Sequence, residues 1–173
     1  MKKPKKPKKP AKHPINHPIS VQYALASRRG VPAASSLRTW ACAALDRVLT
    51  ETAELSIRLV NEDEITDLNQ RFRNKSSSTN VLSFPIPALP ENAGFQISPK
   101  PLGDVILCTA VAQRESQQQN KSTYDHIAHL VVHGVLHLNG FDHQNDEQAE
   151  VMENLEREIL QSLGIDDPYA CTI

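Results

Sequence analysis

His133-Gly134-Val135-Leu136-His137-Leu138-Asn139-Gly140-Phe141-Asp142-His143, HGVLHLNGFDH, sets three imidazoles within eleven residues. His133 and His137 are four apart, so on a helix they project from one face a single turn from each other. Gly140 can take the left-handed conformation of a helix C-cap, which reverses the chain and returns His143 toward the two helical rings. Three nitrogen ligands suit one zinc ion, and three rather than four leave a position for water or substrate. A structural site takes a fourth ligand, usually a thiolate, and none of Cys42, Cys108 and Cys171 lies near in sequence.

The surrounding segment decides the fold. From about Thr123 to Asn139, Ile127, Leu130, Val131, Val135, Leu136 and Leu138 surround the predicted helix almost completely with apolar side chains. A helix hydrophobic all round is central to its domain, and imidazoles buried in it need partners. His126 and His129 lie on nearly the same side as His133, so His129/His133 is a competing ligand pair. The glycine turn and a third histidine follow only His133/His137, which leaves His129 as a packed or supporting histidine. His13 and His17 fall in the N-terminal tail and are expected to be solvated.

Elsewhere the period alternates between that of strands and that of helices. Strands are predicted over Ile19 to Ala26, Glu54 to Val60, Val81 to Phe84 and Gly103 to Cys108, the last the most apolar and buried. A helix is predicted from Ser35 to Thr50 with Ser35 or Ser36 as N-cap and Trp40 in the core. Asn61 and Glu64 form a capping signature for a short helix through Ile65, Leu68 and Phe72. Thr109 opens another helix, running to about Asn120. Asn145 or Asp146 caps a last one ending at Leu163-Gly164, whose Glu147, Glu150, Glu153, Glu156 and Glu158 read as a solvated face. Residues 85–101 hold five prolines and one glycine and read as a surface loop. The fold class is α/β (α+β): one mixed sheet of about four strands covered, mostly on one side, by about five helices.

At 173 residues with 39% apolar content, the chain is one domain, residues 19–173, behind a tail, residues 1–18. Residues 1–12 carry seven of the 19 basic residues and no acid, leaving 12 basic against 20 acidic ones beyond them. A Lys-Pro tail of this kind forms no helix and buries nothing, so it is expected to be disordered and suited to RNA. No stretch matches a membrane span or a signal peptide, and three widely spaced cysteines fit a reducing compartment; the expectation is a cytoplasmic protein.

The spacing H-x-x-x-H-x-x-G-x-x-H is that of the metzincin peptidases, which carry Glu after the first His as general base. Gly134 stands there instead, so peptide hydrolysis of that type lacks its base. The same stretch resembles the signature of the YbeY family of rRNA-maturation endoribonucleases. Leu68-Asn69-Gln70-Arg71-Phe72-Arg73-Asn74-Lys75, Thr79-Asn80-Val81-Leu82-Ser83-Phe84-Pro85 and Leu102-Gly103-Asp104-Val105 are similar to the family's other shared segments, in the same order, over roughly residues 19–168. Two departures stand out: Ser76-Ser77-Ser78 replaces a charged pair and a proline, which should loosen that loop, and the tail is extra.

The resemblance implies a metal-dependent, single-strand-specific endoribonuclease acting at the 3′ end of small-subunit (16S) rRNA and in ribosome quality control. It implies His133, His137 and His143 as ligands of one zinc ion and Arg73 as the functional arginine beside them. Its partners would be single-stranded rRNA and the small ribosomal subunit, with no membrane and no DNA. A zinc with an open position can polarise a phosphoryl oxygen or deliver hydroxide, and an arginine fork suits a phosphate. Without the resemblance Arg73 reads as a surface arginine. Asp104 and Asp142 are candidate bases, with Asp142 alternatively orienting a ligand imidazole; metal hydroxide or a ribose 2′-OH would need neither. Two other readings are a non-catalytic ribosome-assembly factor with a structural zinc and a zinc hydrolase of another substrate.

Overall fold

The computed structural model describes residues 15–87, 90 and 96–170. In chain order the elements are β1 (Ile19–Ala24), α1 (Ala34–Val48), β2 (Ala53–Val60), α2 (Glu62–Arg73), β3 (Val81–Pro85), β4 (Lys100–Cys108), α3 (Thr109–Gln118), α4 (Thr123–Leu138) and α5 (Asp146–Ser162). The strands form one mixed sheet in the order β1-β2-β4-β3. β2 is parallel to both neighbours, while β3 is antiparallel to β4 and forms an edge. Pro85 therefore closes an edge strand, where a missing N–H breaks no central ladder.

Alternation along β2 and β4 divides the core between the sheet's two faces. Leu55, Ile57, Leu59, Val105 and Leu107 face α1, α4 and α5 and make the larger core. Val60, Ile106 and Cys108 face the other way, with Ile65 of α2 and Leu82 of β3. Each fully buried leucine or isoleucine in such a layer contributes about 1.5–3 kcal/mol. The cover is mostly one-sided, with α2 and the start of α3 filling the thinner face. Helix α4 is the hub, as its all-round apolar surface requires: Ile127, Val131, Val132, Val135 and Leu136 are all at or near zero exposure. Gly134 lets it lie against the sheet. A Cβ there would stand 2.7 Å from Val105 Cγ1 and 3.2 Å from Ser83 Oγ, and Ser83 Oγ donates to the Gly134 carbonyl at 3.1 Å.

Several local expectations hold. Asn61 Oδ1 accepts from the Glu64 amide at 2.9 Å and starts α2, and Asn145 caps α5 through the Gln148 amide. Trp40 is buried, with Tyr124 edge-on at 4.7 Å. The 74–80 loop departs from the looseness expected of it: Asn69 Nδ2 donates to the Ser77 carbonyl at 2.8 Å, and Ser76 Oγ bonds the Gln70 side chain.

Others need correction. Helix α1 starts at Ala34, next to Pro32, with Ala33 at its cap and no side-chain capping bond, so neither Ser35 nor Ser36 is the N-cap. α3 likewise begins at Thr109 itself and ends at Gln118. His17 is not solvated: it is 5% exposed, its Nδ1 accepts from the Ala53 amide at 3.1 Å and its Nε2 meets Asp46 at 3.2 Å. Proximity to the lysines hid a histidine that staples the start of β1 to β2 and α1. His13, the lysines of residues 1–12, Cys171 and much of the proline-rich loop lie outside the described residues.

Candidate metal centre

The three predicted histidines come together. His133 and His137 sit one turn apart on α4, and their Nε2 atoms face each other at 3.0 Å. The helix then ends as its glycine dictates. Gly140 has φ +86°, its amide bonds the His137 carbonyl, and the Phe141 amide bonds the Leu136 carbonyl, the double bond pattern of a Schellman cap. The turn brings the His143 ring to 5.0 Å from that of His137 and 5.3 Å from that of His133, centre to centre. One ligating atom from each ring lies within 4.8 Å of the others. Two nitrogens on one tetrahedral zinc, each at about 2.0–2.1 Å, stand about 3.3 Å apart, so the spacing fits a small divalent ion. His143 is exposed while the other two rings are partly buried. Solvent therefore reaches the cluster from the His143 side.

Electrostatics favours the neutral, ligating form. Burial, then the neighbouring His133 and His143, pushes the His137 imidazole below its ordinary value, against a smaller opposing effect of a bond to the Phe141 backbone. Two imidazole nitrogens facing each other at this distance are placed to share one cation.

Beneath the cluster lies a residue that the sequence pattern disguised. Glu156 was expected on a solvated face of the last helix, yet it has no exposure at all. α5 crosses α4 so that Oε1 of Glu156 meets His133 Nδ1 at 2.7 Å and Oε2 meets His129 Nε2 at 2.9 Å. Tyr169, beyond α5, donates its hydroxyl to the same Oε2. Burial alone would raise the Glu156 carboxyl, but the bonds from His129, His133 and Tyr169 prevail and hold it at about 2. Burial and the adjacent carboxylate push the Tyr169 phenol upward, keeping its proton in place. The available signal was positional: Glu156 falls in register with Met152, Ile159 and Leu160, the buried stripe of α5.

The remaining candidates separate. His129 supports rather than competes, being committed to Glu156, and His126 is paired with Glu115 at 2.8 Å. Asp142 accepts from its neighbours, the His143 amide at 2.8 Å and Gln144 Nε2 at 2.6 Å, and so shapes the turn without touching an imidazole nitrogen. Asp104 is exposed and bonded to Ser56 Oγ on the sheet face opposite Val105, away from α4. It is no base for this site. Arg73 is the last residue of α2, exposed, with no hydrogen bond or ion pair among the described residues. It ends a helix that packs on the thinner face of the sheet. A cavity of about 260 Å³ opens beside His133 and His143, walled by Met152, Glu153 and Tyr169.

Comparison with known proteins adds an independent line. A family model described as Endoribonuclease YbeY matches residues 27–164. The Endoribonuclease YbeY of Xanthomonas axonopodis pv. citri (strain 306) is 50% identical over 159 residues, covering 92% of this chain and 97% of that protein. That of Stenotrophomonas maltophilia (strain K279a) is 49% identical over 160 residues, covering 91% and 96%. A solution structure of a Thermotoga maritima protein shares the fold with a TM-score of 0.52 at 23% identity, over 88% of this chain and 99% of that one. With the family model spanning most of the domain and about half of the aligned residues shared with these relatives, the chain belongs to the YbeY family and is an endoribonuclease.

Proposed function

We propose that this endoribonuclease is zinc-dependent and specific for single strands, and that it acts in the cytoplasm on the 3′ end of small-subunit 16S rRNA and in ribosome quality control. His133, His137 and His143 hold one ion; Arg73 holds phosphate. The observation that carries the metal assignment is the convergence of His133 and His137 Nε2 at 3.0 Å with His143 beside them. That no helix among the described residues is long and apolar enough to cross a membrane is compatible with the assignment to the cytoplasm.

Bound there, zinc would supply a Lewis acid for the phosphoryl oxygen or a water acidic enough to ionise near neutral pH. The chain's own residues do the rest. Glu156 and the Gly140 turn orient the ligand rings, and the solvent-facing side at His143 leaves a position for substrate. The Arg73 guanidinium, without a partner among the described residues, is available to a phosphate through two parallel bonds. Because α2 and α4 pack on opposite faces of the sheet, a single strand touching Arg73 and the histidines would pass β3, an edge strand among the described residues. No carboxylate bonds either facing Nε2 atom among the described residues, so the proton of the attacking group is left to a metal-bound hydroxide or to the substrate.

Metal analysis paired with digestion of single-stranded RNA tests this reading. Zinc-loaded wild type should cleave and chelated protein should not, while Arg73→Ala keeps its zinc and loses about 10–100-fold in cleavage, the loss of one charge-assisted contact of 1.5–3 kcal/mol. An Arg73→Ala protein that cleaves as wild type removes Arg73 from the mechanism. Melting with and without chelator separates a catalytic from a structural ion. A core of this extent is expected to remain cooperatively folded without metal, whereas a structural zinc would take the fold with it. Metal-dependent cleavage of small esters or peptides but not RNA would point instead to another zinc hydrolase. Deleting residues 1–12 should weaken RNA binding and flatten its salt dependence without abolishing cleavage.

A further inference from the structure

We propose that Glu156 and Tyr169 form a positioning pair that fixes which nitrogen of His133 faces the metal site; this rests on the three-histidine reading above.

The carboxylate is the starting point. Ionised, Glu156 can only accept hydrogen bonds, so the His133 Nδ1 that meets it at 2.7 Å must carry the proton. In the neutral, ligating form of the ring the lone pair is then on Nε2, the atom that faces His137. A carboxylate on the far nitrogen of a ligand imidazole locks both ring orientation and tautomer. The second carboxylate oxygen is held just as firmly. His129 Nε2 donates to it at 2.9 Å and the Tyr169 hydroxyl donates to it as well, so Glu156 cannot rotate away without breaking three bonds. No buried polar side-chain atom among the described residues lacks a partner, so the network is complete within the protein.

Tyr169 brings the C-terminal segment into the site. Its ring lies edge-on to His129 at 5.4 Å and under the Arg157 guanidinium at 4.8 Å. Arg157 Nε also pairs with Asp167 at 3.4 Å, and Lys121 Nζ donates to the Pro168 carbonyl. Three anchors thus seat residues 167–169 so that one hydroxyl reaches a buried carboxylate. The structure thereby ties the chain beyond α5 to the orientation of a ring on α4.

The two substitutions predict different things. In Glu156→Gln the amide can offer its oxygen to only one imidazole and must present its NH2 to the other. Where the NH2 meets His133 Nδ1, that ring must put its proton on Nε2 and its lone pair away from the metal. Tyr169→Phe leaves the carboxylate and both imidazole bonds and removes one donor.

Zinc affinity of the full chain, measured by competition with a chromophoric chelator well below the melting transition, is the readout. Glu156→Gln should bind zinc about 10–100-fold more weakly than wild type, and Tyr169→Phe should fall between them. Long-range proton–nitrogen spectra of the metal-free protein should show His133 protonated at Nδ1 in the wild type, with the Nε2–H form appearing in Glu156→Gln. A purely structural role for the pair would lower the melting temperature and leave affinity and tautomer alone. Wild-type affinity in a folded Glu156→Gln, or an Nε2–H His133 in the wild type, overturns the proposal. Should Glu156→Gln fail to fold, unchanged affinity in Tyr169→Phe does so. His137→Ala serves as the control: if it keeps wild-type affinity, the three-histidine reading falls and the pair with it. If it loses zinc while Glu156→Gln does not, only the pair falls.

Discussion

The two halves of α4 carry two imidazoles each and treat them in opposite ways. In the first half His126 and His129 each meet a carboxylate, Glu115 at 2.8 Å and Glu156 at 2.9 Å. In the second half His133 and His137 turn Nε2 on Nε2 at 3.0 Å, and His143 closes in from the turn. An imidazole on a carboxylate is finished inside the protein. Two imidazoles that turn the same nitrogen on each other, with a third ring beside them, offer a cation a ready set of ligands. Histidine content alone therefore marks no site; what completes each ring does, and His133 belongs to both worlds, with its Nδ1 on Glu156 and its Nε2 toward His137.

Breaking the second half should have the largest effect. His137→Ala removes one of three convergent nitrogens, so zinc binding should be lost and RNA cleavage should fall by at least about 1000-fold, several kcal/mol of transition-state stabilisation. His126→Ala removes an imidazole from the same helix and should cost stability while leaving zinc stoichiometry and cleavage intact. If the two variants behave alike in metal content, the contrast between the halves has no functional meaning.

The sheet-facing side of the second half provides a different test. Gly134 sits between the two ligands, and its missing Cβ is space that Val105 and Ser83 already fill. Gly134→Ala should destabilise the fold by about 1–3 kcal/mol through overpacking, and zinc affinity should drop as α4 is pushed from the sheet. The position that bears a general base in the metzincins is thus turned toward β4 here, where a glutamate would have no room. A stable, fully active Gly134→Ala would show that the close approach is not required.

A smaller effect concerns protons. Burial and the neighbouring rings hold His137 below its ordinary value, so between that lowered value and about 6.5 the unfolded chain binds more protons than the folded one. Stability of the metal-free protein should therefore rise with pH through that window and level off above it. His137→Asn should flatten the rise, as read from chemical denaturation of chelated protein at pH 5.5 and 7.5. An unchanged slope would assign the dependence to other groups.

How much of this could be read in the residues depends on distance along the chain. α4 was legible because its apolar positions leave no polar face, and the three histidines because eleven residues and one glycine contain the whole geometry. Asn61 and Asn145 announced their helices through bonds three residues away. Glu156 was hidden because its partner lies 23 residues earlier, on another helix, and because four other acids on α5 suggested a solvated face. Its register with Met152, Ile159 and Leu160 was the overlooked sign, since an acid on a buried stripe must have donors waiting. His17 was misread for a related reason, as the lysines before it drowned a local signal. Arg73 had no signal of its own at all: nothing in its spacing links it to residues about sixty positions away, and only the family resemblance singled it out.

The smallest effect expected is at Asp142, and it decides which carboxylate serves the site. Asp142 stands next to His143 in sequence and is the acid that spacing alone would choose to orient a ligand. In the fold its carboxyl is held below the usual range chiefly by the His143 backbone amide, with Gln144 adding a second bond. Both bonds stay within the turn. Asparagine keeps an oxygen for the His143 amide, so Asp142→Asn should retain the turn, bind zinc within about twofold of wild type and cleave RNA nearly as well, as exposed substitutions away from special features do. A loss as large as that expected for Glu156→Gln would exchange the two roles. Asp142 would then be orienting His143 or accepting a proton from the attacking group, and the buried Glu156 would be left to hold α5 against α4.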